Sequence, residues 1–371
     1  MRSALALVVV MCACRTRPLD ELPVPNSPPV GSCDLADEEP VECPTDSATP
    51  LVLSQGSVYW ATVDGSHAVY AAVSAGGDET LEVAPLGGGA ALTRFTATDF
   101  IFVTRGGTAF VSDTRKGLLA VPLDGGDPKV LSTPTDPDIS PFVAADDALV
   151  YFGKRDAVSI AARTEEVFRV PHQGGPIDLL AQVDLPEANP LKESGYDHLV
   201  DIAVDSCSVF WLRRPTLKAD GWANNDGRLY RVDKQGGVPQ VLLDGLGYIG
   251  RLRLTDDSVF LIESRGDVGN RILRVAKDGS GARTIPVSAN SVEDYVVDGT
   301  HAYFVAANKD GSFNSGWWSA PLDGSAAPSL IPALSEAPAK NIWAVFLDSN
   351  CRLLYELVDD QLIRRQLPPP N

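Results

Sequence analysis

Six residues, Asp99, His198, Tyr248, Glu293, Asp294 and Asn341, each stand at the head of a β-branched, strand-like run in a chain of 371 residues. If the runs converge, these acid, amide, phenol and imidazole groups could hold a divalent cation. Such an ion would activate water for hydrolase or lyase chemistry. The sequence limits this reading. It has four histidines, His67, His172, His198 and His301, and only His198 belongs to the set. No Ser/His/Asp or Cys/His arrangement is specified by spacing, and the cysteines lack the paired Cys-x-x-Cys spacing of structural zinc. The expectation is a solvated acidic rim with no metal ligand set and no resident cofactor. A divalent cation at this mouth is the enzymatic alternative.

A second group suits recognition rather than catalysis. The longest insertions between strand-like runs are 183–198 and 214–226, and they bring Tyr196, His198, Trp222, Asn224 and Asp226. An exposed aromatic can anchor a ligand while amides and a carboxylate set specificity. The run Trp222-Ala223-Asn224-Asn225-Asp226-Gly227 and the run Asn308-Lys309-Asp310-Gly311 also resemble fragments of a calcium loop. Neither has the downstream bidentate Glu of an EF-hand, and Asn, Asp and Gly favour turns in any case.

The elements that must position these residues repeat along the chain. One phrase runs from Leu118 to Leu131 (Leu-Leu-Ala-Val-Pro-Leu-Asp-Gly-Gly-Asp-Pro-Lys-Val-Leu) and returns as Val167 to Gly175 and Leu229 to Gly237. Weaker copies run Val69 to Gly77, Ile272 to Ser280 and Trp317 to Ser325, and a last copy, Leu362 to Leu367, stops before its turn. The turns fall at 76, 125, 174, 236, 279 and 324, mostly 43–49 residues apart with one interval of 62. An aromatic phrase precedes each copy: Ser57-Val58-Tyr59-Trp60, Ala109-Phe110-Val111, Leu149 to Phe152, Val209-Phe210-Trp211, Val259-Phe260-Leu261, Ala302-Tyr303-Phe304 and Leu353-Leu354-Tyr355.

Four strand signals per repeat of this length predict an all-β, single β-propeller of seven blades with four antiparallel strands each; six blades is the alternative count. On the cleanest copy the strands run 199–204, 208–213, 228–233 and 238–243, with Val200, Ile202 and Val204 sharing one face. The last blade lacks its outer strand. Glu39-Pro40-Val41-Glu42-Cys43 is similar to the segment Asp127 to Leu131 and is expected to supply it.

These phrases resemble bacterial propeller lipoproteins with a Tyr-Trp step and a Pro-Leu-Asp-Gly-Gly turn, and more loosely the TolB-like and YWTD propellers. The likeness spans residues 50–367 and implies the fold; it implies little about activity. No full Tyr-Trp-Thr-Asp tetrad is present.

The N-terminus has the parts of an export signal. Arg2 precedes the apolar run Ala4 to Met11, which is too short to cross a bilayer. Ala13-Cys14 then resembles a lipobox, making Cys14 the expected lipidation site. The domain reading is a signal peptide over 1–13, a lipidated N-terminus and proline-rich tether over 14–37, and the propeller over 38–371. An exported chain carries disulfides, and Cys33 with Cys43 form the expected pair, with Cys207 and Cys351 remaining. The net charge of −18 leaves no basic stripe for nucleic acid. The composite expectation is a monomeric, non-enzymatic propeller, lipid-anchored to the bacterial envelope on its outer-membrane or periplasmic side. It would bind a protein, peptide or glycan, and would meet the membrane only through its lipid.

Overall fold

The computed structural model describes residues 51–367, apart from 53–56, 74–76, 87–89, 98–99, 134–138, 155–163, 185–198, 214, 216–224, 266–268, 288–290, 308–315, 332–341, 349–352 and 359–360. Cys14, Cys33, Cys43 and the tether therefore lie outside the described residues. Within them the chain is all β, with no helix.

A short strand, β1 (Leu51–Val52), comes first. Sheet one is β2 to β5 (Ser57–Asp64, His67–Val73, Glu79–Pro85, Leu92–Ala97), and sheet two is β6 to β9 (Phe100–Arg105, Thr108–Asp113, Gly117–Pro122, Lys129–Ser132). Sheet three is β10 to β13 (Ile139–Ala145, Leu149–Lys154, Thr164–Pro171, Asp178–Asp184), and sheet four is β14 to β17 (Leu199–Val204, Ser208–Arg213, Gly227–Asp233, Gln240–Leu246). Sheet five is β18 to β21 (Tyr248–Leu254, Ser258–Arg265, Gly269–Ala276, Arg283–Ile285), and sheet six is β22 to β25 (Ser291–Val297, His301–Ala307, Trp317–Pro321, Ser329–Leu330). Sheet seven joins β26 to β28 (Ile342–Asp348, Leu353–Val358, Gln361–Gln366) with β1 at its outer edge.

The first strands of the sheets touch in cyclic order, β2 to β6, β10, β14, β18, β22, β26 and back to β2. They therefore line a common axis. The apolar core sits between neighbouring sheets rather than at the axis. Phe95 and Leu81 of sheet one pack on Phe100, Phe102 and Val111 of sheet two, and Tyr151 of sheet three packs with Trp211 and Tyr230 of sheet four.

Turn chemistry fixes the repeat. Asp146, Asp205 and Asp298 each open a turn between first and second strands and accept two backbone N–H bonds, for example from Cys207 at 2.8 Å and Ser208 at 2.7 Å. A lysine from the following sheet clamps two of these carboxylates: Lys234 Nζ meets Asp146 at 2.5 Å, and Lys277 Nζ meets Asp205 at 2.8 Å. Burial by itself would raise the Asp146 carboxyl, but Lys234, the Ala148 and Leu149 N–H groups and the Tyr151 hydroxyl hold it below its usual value. At the other hairpin of sheet four, Gly236 and Gly237 take φ of 91° and 133°, which a side chain would oppose.

Two strand expectations need correction. In sheet one, Ser57-Val58-Tyr59-Trp60 opens the inner strand β2, while β3 is second and β4 third. The third-strand phrase is Val83-Ala84-Pro85-Leu86-Gly87-Gly88, about a dozen residues later than Val69 to Gly77. The N-terminal strand that completes the last sheet is β1, pairing Leu51 with Leu362 and Val52 with Gln361. Residues 39–43, expected in that role, lie outside the described residues. Replacing residues 44–54 by a Gly-Ser linker of the same length keeps every cysteine, and should uncover the edge of β28 and lower the melting temperature, by less than the roughly 2–4 °C per kcal/mol typical of a domain of about 150–250 residues. An unchanged melting curve would show that β1 contributes nothing to closure.

Cys207 is disulfide-bonded, and its partner lies outside the described residues. It sits in the β14–β15 turn of sheet four. Cys351 falls between β26 and β27 of sheet seven, three places round the ring, whereas a disulfide needs Cα atoms within about 7 Å. A non-reducing peptide map should therefore link Cys207 to a cysteine N-terminal to the ring, and to Cys33 or Cys43 if Cys14 is lipidated; the expected Cys33–Cys43 pair lies outside the described residues. A Cys207–Cys351 peptide would overturn this.

Candidate functional site

Six of the seven inner strands carry an irregularity against their second strand; only the β6–β7 pair runs without one. A bulge sets two residues against one, breaks the alternation and re-aims the side chains beyond it. Tyr59, Val200 and Glu293 are the extra residues in β2, β14 and β22, followed by Trp60, Asp201 and Asp294. In β18, Arg251 and Leu252 together face Leu261, and Arg251 takes a left-handed φ of 58°. Such a backbone is uncommon for a side chain this large and persists only where its surroundings hold it.

The supports come from both neighbouring sheets. Asp201 of sheet four accepts the Leu252 N–H at 2.7 Å through Oδ2 and the Ile202 N–H at 2.9 Å through Oδ1. Tyr295 of sheet six donates its hydroxyl to the Arg251 carbonyl at 2.7 Å. The two residues flanking Leu252 thus present a pair of guanidinium groups to the axis. Arg251 Nε and Arg253 Nη2 both lie 3.7 Å from one oxygen, Asp294 Oδ1, which also accepts the Tyr295 N–H at 2.8 Å. The Arg251 guanidinium carbon lies 5.5 Å from the ring centroid of Trp60, in sheet one across the channel. At that distance a cation–π attraction operates.

Both arginines keep about a third of their side-chain surface open, while Asp294 is 3 % exposed. Burial pushes the Asp201 carboxyl up, against the pull of Arg253 and its two N–H donors. Burial also works against the Arg253 charge, yet Asp294, Tyr295 and Asp201 leave its pKa raised. The Tyr295 hydroxyl, buried beside these groups, is held well above its ordinary value. The result is a cationic fork in a net-negative chain, walled by an indole.

The residues singled out from sequence fare unevenly. Asp294 is part of this cluster. Glu293 is the bulged residue of β22, and Tyr248 opens β18 as an exposed side chain. Asp226 precedes β16, the third strand out from the axis in sheet four, and its carbonyl accepts an N–H of buried Arg213. It is not brought to Asp294, which is on the inner strand of sheet six. Asp99, Tyr196, His198, Trp222, Asn224 and Asn341 lie outside the described residues. Trp60, Asp201, Arg251, Arg253 and Tyr295 were missed, although Arg251-Leu252-Arg253 in an inner strand is an unusual place for paired charges. No group of three or more His, Cys, Asp or Glu residues suited to a metal occurs among the described residues. At Asp294, moreover, two nearby cations would repel a divalent ion.

No protein-family description matches the chain, and no curated protein does. Solved structures match it in fold. YCF48 bound to D1 peptide superposes with a TM-score of 0.54 at 13% identity, over 92% of this chain and 100% of that one. The β-propeller domain of the Trilobed protease from Pyrococcus furiosus gives 0.51 at 9% identity, over 73% and 80% of the two chains. A puromycin-hydrolyzing peptidase of Mycobacterium tuberculosis gives 0.54 at 12% identity, over 91% of this chain and 58% of the peptidase. The chain is thus similar to β-propellers, and at these identities the likeness shows the fold alone.

Proposed function

We propose that this chain is a non-enzymatic, seven-bladed propeller of the bacterial cell envelope that binds a peptide or protein segment at its axis. The observation that carries this reading is Arg251, held on a left-handed backbone by Tyr295 and Asp201 and facing Trp60 across the channel. A positioned cation beside an aromatic wall is a recognition device, and it offers neither a nucleophile nor a proton-transfer pair. That YCF48, a neighbour in fold, is described as bound to a peptide agrees with it. The insertions 183–198 and 214–226 would frame the entrance, with Trp222 as a second aromatic anchor. Cys14 would carry the lipid that holds the protein at the envelope. No cofactor enters the proposal.

An immobilised library of unstructured peptides tests it. A subset should bind the lipid-free chain. Trp60→Ala should abolish that binding while the chain stays folded, with a lower melting temperature because Trp60 also packs on the core between sheets one and two. Trp60→Phe, which keeps most of that packing, should weaken binding with the melting temperature nearly kept, and Trp222→Ala should weaken it by about 1 kcal/mol or more. Absence of any bound peptide, or indifference to Trp60→Ala, would reject an axial peptide site.

A further inference from the structure

We propose that the Arg251–Arg253 fork is a carboxylate receptor, taking an Asp or Glu side chain or a C-terminal carboxylate of the bound segment. The proposal rests on the peptide-binding reading and specifies its chemistry.

The same sheet supplies the comparison. On its second strand, Glu263 is fully buried and accepts Arg265 Nε at 2.6 Å, Arg271 Nε at 2.6 Å and the Gly247 N–H at 2.7 Å. That is an arginine–carboxylate contact closed to charge-assisted hydrogen-bond length, with its partners fixed. The axial fork is built differently. Two guanidinium groups share one carboxylate oxygen at 3.7 Å each, about 1 Å too long for such a bond. Asp201 adds a second negative charge near Arg253, but its hydrogen bonds among the described residues go to the Ile202 and Leu252 N–H groups. Arg253 directs one further N–H at the Leu252 carbonyl, 3.1 Å away. Among the described residues the remaining N–H donors of the fork meet no acceptor at hydrogen-bond length, and a planar carboxylate matches their geometry.

Three features preorganise this fork for a ligand. The Arg251 backbone is pinned from sheets four and six, so little ordering is needed on binding. Trp60 limits the opposite side and offers an apolar surface to the methylene groups that carry a carboxylate. Two arginines meet at one point of a chain whose net charge is −18, beside the carboxylates of Asp201 and Asp294. Phosphate would also satisfy a guanidinium pair, but Asp294 beside the fork disfavours a dianion more than a monoanion.

The test uses the full folded chain and four probes: acetate, Ac-Gly-Gly-Asp-Gly-Gly-NH2, Ac-Gly-Gly-Gly-Gly-Gly-OH and the neutral Ac-Gly-Gly-Asn-Gly-Gly-NH2. The readout is the NMR signals of the Arg251 and Arg253 Nε–H groups, assigned by Arg251→Lys and Arg253→Lys. The carboxylate probes should shift both signals saturably, at least tenfold more tightly than the amide probe. Comparing the Asp and free-terminus peptides shows which carboxylate source fits. Arg251→Gly suits the left-handed backbone, so it should remove binding without unfolding the chain, whereas Arg251→Lys should weaken it about tenfold. Equal binding of the amide probe, or acetate that leaves both signals unmoved, overturns the receptor. Library peptides that bind undiminished after amidation of every carboxylate would sink this inference and leave the peptide reading standing. If no library peptide binds while acetate still shifts the fork, the peptide reading falls instead.

Discussion

Truncating Trp211 to alanine should cost about 3–5 kcal/mol of stability, among the largest losses expected from a single side chain in this ring. The indole is fully buried and stacks on Tyr230 at 5.1 Å with an interplanar angle of 17°. Its cluster joins sheet three, through Tyr151 and Val167, to sheet four, through Leu199, Val209 and Val232. Alanine would leave a cavity at a joint between sheets, where neither side can collapse without disturbing the next. Trp211→Phe separates volume from polarity. Among the described residues the indole N–H meets no acceptor, so phenylalanine removes no hydrogen bond and should cost much less. Urea titration of the two variants checks this, and a midpoint unchanged in Trp211→Ala would show that the joint is not load-sharing.

The second large effect is expected at Lys277. Its ammonium lies 2.8 Å from Asp205, and the side chains are 8 % and 1 % exposed. Lys277→Met should destabilise the protein by about 3–5 kcal/mol, because it strands a buried carboxylate whose other oxygen caps the turn at Cys207 and Ser208. The double variant Lys277→Met/Asp205→Asn should recover part of the loss, since the amide keeps an acceptor for the cap without the charge. A single variant as stable as the parent would mean that Asp205 is solvated by another route. A double variant no better than the single would place the loss in packing of the lysine stem.

The turns that these two predictions probe were the legible part of the sequence. From sheet two onwards the second and third strands stand where the phrases put them, because Asp turns and Gly hairpins punctuate β-branched runs at a steady interval. Sheet one misled because Val58, Tyr59 and Trp60 have the composition of a second strand while lying on the inner one. The inner strands were hidden for a general reason. Val200, Ile202 and Val204 read as one face, yet the bulge at Val200 sends Val200 toward sheet five and Ile202 toward sheet three. A shift of one residue exchanges the two faces of a strand. Pattern alone therefore assigned neither Asp201 nor the Arg251–Arg253 pair to the axis. The charges were visible, but the backbone conformation that aims them was not.

The closing strand has a mechanical consequence. β1 closes the ring through pairing at Leu51–Leu362 and Val52–Gln361 alone, whereas β28 pairs β27 over six positions. Force that reached the ring between Cys43 and Leu51 would therefore load this thin seam at sheet seven. Once β1 slides off, β28 becomes a bare edge, while each of the other six sheets still has four strands. The thinnest closure of the ring thus lies in a sheet apart from the axial fork, which is carried by sheets one, four, five and six.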